Sequence, residues 1–139
     1  MLKMTRIDPP HWAPDYARHV TDYLGDDGEA SQRAFEPLLE RIHASLDERI
    51  NAFVNDPRQC FGDEEQFPSR SRLSGQYYIG SQTFEGYRDD GDYQLWIQIR
   101  CLEEDAHESA DYLGLEVICS FTPATGELLI EEGFNTSVI

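Results

Sequence analysis

Apolar residues along this chain recur first at helical spacing and then, beyond residue 72, at every second position. Trp12, Tyr16, Val20, Tyr23 and Leu24 recur at helical spacing around Pro14, a residue suited to a first helical turn. Gly25 and the turn-like Asp26-Asp27-Gly28 are expected to stop that helix. Phe35, Leu38, Leu39, Ile42, Leu46, Ile50, Phe53 and Val54 then mark one face of a second, longer helix, the clearest pattern in the chain. Pro37 cannot donate a backbone hydrogen bond, so this helix is expected either to begin at about Ala34 or to kink at Pro37. Asp56-Pro57 ends it.

Residues 58–72 are polar and irregular and predict a connecting loop. From Leu73 the period is two. Leu73–Ser81 and Thr83–Tyr87 are expected as two strand segments, with Gly75, Gly80 and Gly86 as bulges or bends. After the turn signal Asp89-Asp90-Gly91-Asp92, the apolar residues Tyr93, Leu95, Ile97, Ile99 and Cys101 alternate with Gln94, Trp96, Gln98 and Arg100. Leu113, Leu115, Val117, Cys119 and Phe121 repeat the alternation. Thr122-Pro123-Ala124-Thr125-Gly126 predicts a tight hairpin with a positive φ at Gly126, leading into a last strand over Glu127–Asn135.

These elements predict a single α+β domain over residues 1–139, with two N-terminal helices packed on one face of a four- to five-stranded antiparallel sheet. The helical part is residues 1–57, the connecting loop 58–72 and the sheet 73–139. If the odd-numbered side of strand 93–101 faces the helices, the even side looks outward. It would display Gln94, Trp96, Gln98 and Arg100 beside Glu116, Ile118 and Ser120. A tryptophan and an isoleucine set among polar residues suit a partner-binding patch. The plain alternative is that the C-terminal tail or the 58–72 loop covers them.

Composition changes this picture mainly through charge. Twenty-seven acids oppose eleven bases, for a formal net charge of −16. Residues 1–57 carry a net −5 and residues 58–88 are balanced, whereas residues 89–139 hold 12 acids and only Arg100. The excess therefore lies in the sheet. Such a field repels nucleic acid and anionic membranes and speeds the approach of basic proteins. An apolar share of 40% and 16 aromatic residues imply a folded core rather than a disordered acidic tail. The chain has no long apolar run and no secretory-type N-terminus, and its three cysteines, an odd number, suggest no disulfide framework. A reduced, cytoplasmic protein is expected.

Candidate chemistry is sparse. The loop Glu103-Glu104-Asp105-Ala106-His107-Glu108-Ser109-Ala110-Asp111 is rich in carboxylates, yet neither it nor Asp89–Asp92 has the ligand spacing and central glycine of a calcium loop. Its plain reading is a solvated hairpin connection. His11, His19, His43 and His107 are scattered, and no His-Glu-x-x-His or Cys-x-x-Cys is present, so no metal or cofactor is expected. His43 and Asp47 share a helix face, a common arrangement. Cys101 and Cys119 fall on inward strand faces and are expected to act as small apolar residues. There is no glycine-rich phosphate loop, and an enzyme is not expected.

What remains is binding. In size and composition alone, the chain resembles bacterial immunity proteins that neutralise toxins such as nucleases, which implies an acidic inhibitor of a basic protein. The residues expected to meet that partner are Asp89, Asp90, Asp92, Trp96, Glu103, Glu104, Asp105, Glu108, Asp111 and Glu116. Alternative expectations are a phage or plasmid nucleic-acid mimic that blocks a DNA-binding or RNA-guided complex, an acidic secretion chaperone, and a small enzyme without a recognisable motif. High-salt adaptation is an environmental alternative, with one lysine against ten arginines open to that reading or to a GC-rich genome. Monomer and homodimer are equally compatible with the sequence.

Overall fold

A computed structural model describes residues 2–13, 21–25, 27–56, 73–86, 91–104 and 112–134. Their order is β1 (Thr5–Arg6), β2 (Thr21–Leu24), α1 (Gly28–Asn55), β3 (Leu73–Glu85), β4 (Tyr93–Glu103), β5 (Tyr112–Thr122) and β6 (Glu127–Phe134). The six strands form one curled sheet, a half-barrel, with α1 on its inner side. β3 to β6 run as an antiparallel meander, and β1 and β2 both pair in parallel with the outer edge of β3.

This corrects the expected two helices on an antiparallel sheet. Among the described residues there is one helix, and Thr21–Leu24, expected as the end of a first helix, is a strand registered against Gln82–Glu85. Residues 14–20 lie outside the described residues. The helical spacing of Trp12, Tyr23 and Leu24 did not mark a common buried face. Trp12 packs on the outer side of the sheet beside Ala13, Tyr78 and Leu102, whereas Tyr23 and Leu24 are about half exposed on an edge strand. The sheet is mixed rather than antiparallel because the chain returns to the same edge of β3 twice in one direction.

The long helix follows its apolar stripe closely. Ser31, Phe35, Ile42, Leu46, Ile50, Phe53 and Val54 are buried at intervals that keep them on one side of a 3.6-residue helix. The helix begins at Gly28 rather than Ala34, and Pro37 sits inside it on the exposed side. There its ring meets solvent and not the core. The helix ends at Asp56, whose N–H still donates to the Ala52 carbonyl at 3.0 Å.

On the sheet, Tyr77, Phe84, Leu95, Ile97, Ile99, Cys101, Leu115, Val117 and Cys119 face the helix and are buried. Phe35 ties the layers together, with ring centroids 6.3 Å from Phe84 and 6.0 Å from Phe121. The two strand segments expected over 73–87 form one 13-residue strand, β3, as far as Glu85. Register shifts fall between Leu73 and Tyr77 and between Ile79 and Ser81, where Gly75 and Gly80 sit, so the irregularities bend one strand instead of separating two. The hairpin after β5 forms as the sequence predicts, with φ +73° at Gly126 and its N–H donating to the Thr122 carbonyl at 2.8 Å. At the far edge, Arg49 donates to the Ile130 carbonyl and to Glu132 Oε2, each at 3.1 Å, and so occupies backbone that an edge strand leaves open.

Candidate protein-docking face

The alternation in β4 is realised as expected: Leu95, Ile97, Ile99 and Cys101 face α1, and the even-numbered residues face away. Register then fixes what the outer face presents. Trp96 lies opposite Ile118 on β5 and Thr83 on β3, and Ile118 lies opposite Glu131 on β6. Gln98 pairs with Glu116, and Gln94 with Ser120, which in turn faces Leu129. The result is a continuous surface with Trp96, Ile118 and the 51%-exposed Leu129 at its apolar centre and Glu85, Glu116 and Glu131 around it.

Local hydrogen bonds hold this surface in place. Trp96 Nε1 donates to Gln94 Oε1 at 3.1 Å, which lays the indole along its own strand. Gln98 Nε2 donates to Glu116 Oε2 at 2.5 Å. Partnered in this way, the side chains have less rotamer freedom to lose when a second molecule covers them.

The cation that the sequence places on this face is withdrawn from it. Arg100 is the sole base in residues 89–139, and it is only 5% exposed. Its stem lies over Gly80 on the neighbouring strand: a Cβ added there would fall 2.8 Å from Arg100 Nε. The Ile7–Ala13 segment and Tyr78 and Leu102 form an apolar cluster at the same end of the face. At this end the N-terminal segment covers the face; the C-terminal tail beyond Phe134 and the 58–72 loop, the covers expected from sequence, lie outside the described residues. Trp96, Ile118 and the glutamates remain outside the N-terminal cover.

Of the ten residues expected to meet a partner, the structure brings Trp96 and Glu116 together on this face. Asp92 immediately precedes β4, where Thr122 Oγ1 donates to its Oδ1, and Glu103 and Glu104 stand at and just beyond the other end of that strand, roughly 35 Å away at about 3.3 Å per residue. Asp89, Asp90, Asp105, Glu108 and Asp111 lie outside the described residues. Three members of the face were missed from sequence: Leu129, Glu131 and Glu85. The signal for the first two was present, because the Thr122–Glu127 closure of the hairpin sends the odd residues of β6 outward.

The buried thiols belong to the core. Burial pushes both Cys101 and Cys119 up to about 12, so neither is an ionised nucleophile near neutral pH. Among the described residues, no cluster of three or more histidine, cysteine or carboxylate side chains has a metal-holding arrangement, and no helix is long and apolar enough to cross a membrane. No protein-family model matches the chain, and neither a curated protein nor a solved structure shows significant similarity to it.

Proposed function

We propose that the protein is an acidic binding module whose β4–β6 outer face docks on a basic protein and blocks the surface it covers, as an immunity-type inhibitor does. One observation carries this reading: an apolar centre of Trp96, Ile118 and Leu129 framed by glutamates, with Arg100 of β4 buried. Framing carboxylates accelerate encounter with a cationic surface, and a desolvated aromatic centre slows dissociation. A basic partner fits because no exposed cation on these strands would oppose it.

The test is capture from the source cell on immobilised wild-type protein, in parallel with Trp96→Ala and with the charge reversal Glu116→Lys/Glu131→Lys. The wild type should retain a basic protein. Trp96→Ala should weaken binding about 30-fold, the ~2 kcal/mol expected of a central aromatic anchor. Charge reversal should slow association and flatten its dependence on salt. Equal retention by all three proteins, or an association rate indifferent to salt, overturns the reading.

A further inference from the structure

The opposite edge of the sheet has an interruption. β1 pairs with β3 at Gln76 and Tyr77, and β2 pairs with it from Gln82 onward, so neither covers Tyr78–Ser81, where the second bulge lies. A groove of about 640 Å³ opens at this gap, between the chain leaving β1, His43 of α1, and Ile79 and Gln82 of β3. That volume is typical of sites for small molecules.

Its polar lining sets two donors, the Arg6 guanidinium and the Gln82 amide, beside the Asp8 carboxylate. Gln82 is 7% exposed, and His43 Nε2 lies 2.7 Å from its Oε1. An amide oxygen only accepts, so Nε2 carries the proton and the oxygen of Gln82 is committed. The amide nitrogen is left without a hydrogen-bond partner among the described residues. Arg6, exposed at the groove wall, likewise makes no ion pair among them, although the chain carries 27 acidic residues. Ile7, Pro9 and Ile79 supply apolar walls between these groups.

We propose that this groove binds a small monocarboxylate with a short apolar body. Its carboxylate lies against the Arg6 guanidinium and the Gln82 amide, and its tail against Ile7, Pro9 and Ile79. A planar guanidinium fork matches a carboxylate in two parallel bonds, and the Gln82 amide nitrogen, open to the groove, donates a further one. Charge limits the ligand to a monoanion. Asp8 also lines the groove, and a net charge of −16 penalises a phosphate dianion more than a carboxylate.

Butyrate is a suitable probe, titrated into the ¹⁵N-labelled protein in parallel with butyramide and inorganic phosphate. Butyrate should move the amide signals of Arg6, Ile7, Ile79 and Gln82 saturably, and butyramide and phosphate should bind at least about tenfold more weakly. Arg6→Gln should lower butyrate affinity at least about tenfold, whereas Arg41→Gln, which alters an exposed helix residue outside the groove, should not. The comparison of butyrate with butyramide on unmodified protein stands even if Arg6→Gln disturbs folding. The proposal is overturned by equal response to butyrate and butyramide, by butyrate shifts that do not saturate, or by unchanged affinity in Arg6→Gln.

Discussion

Replacing Asn51 with alanine should loosen the N-terminal segment by an amount that can be worked from four hydrogen bonds. Asn51 Oδ1 accepts from Met4 N–H at 2.6 Å and its Nδ2 donates to the Met4 carbonyl at 3.0 Å. Asn55 holds Leu2 in the same way, at 3.0 and 2.8 Å. The two amides are four residues apart on α1, about 6 Å along the axis, close to the ~6.7 Å between alternate residues of an extended chain. The helix therefore offers residues 2–4 the pairing that a neighbouring strand would give. Each bond contributes about 1 kcal/mol net, so Asn51→Ala loses about 2 kcal/mol from its bonds to Met4. Alanine recovers about 0.6 kcal/mol through its higher helix propensity. The hydrogen bonds win: the variant should be less stable by about 1.5 kcal/mol, and Asn51→Ala/Asn55→Ala by about 3 kcal/mol.

The Met4 side chain is 1% exposed within the main core, so its burial and the amide clamp should act together. Urea unfolding of Asn51→Ala, Met4→Ala and the double variant should give a coupling of at least about 0.5 kcal/mol. Amide exchange at Ile7, whose N–H donates to the Tyr77 carbonyl at 2.8 Å, should accelerate before global unfolding. A loss below about 0.5 kcal/mol for Asn51→Ala, or strict additivity with Met4→Ala, would refute the clamp.

Two further outcomes follow from the packing. Gly80→Ala should cost about 1–3 kcal/mol because the new methyl meets the Arg100 side chain, and in an Arg100→Leu background the same change should cost much less; equal costs in the two backgrounds exclude the contact. Alkaline pH should destabilise the fold. Burial holds both thiols protonated up to about 12 against an ordinary 9.0, so their contribution is complete below pH 9 and declines through 9 to 12, by roughly 1.4 kcal/mol per thiol per pH unit. Tyr77, raised by burial and by its hydrogen bond to Asp47, adds to that decline above pH 10. Urea midpoints under reducing conditions should fall between pH 8 and 11, and fall less in Cys101→Ala/Cys119→Ala; a flat profile contradicts the burial argument.

The sequence alone determined the elements whose period and burial coincide. The α1 stripe from Phe35 to Val54 and the alternation of β4 and β5 were legible because one helix side and one strand side each meet the same core. The hairpin at Gly126 was legible from local turn chemistry. Tertiary structure decided the rest. Thr21–Leu24 became a strand because the open edge of β3 offered backbone partners, a contact between residues about sixty positions apart that no local period records. The bulge expected at Gly80 fell inside one continuous strand, and Arg100 was buried over it, through pairing across β3 and β4. The candidate docking face follows the same division. Alternation put Trp96 and Glu116 on the outer side, and the register of β5 with β6 set Leu129 and Glu131 beside them, while the length of β4 keeps Asp92 apart from Glu103. Hydrophobic period reports which way a side chain points; long-range hydrogen bonding decides what stands next to it.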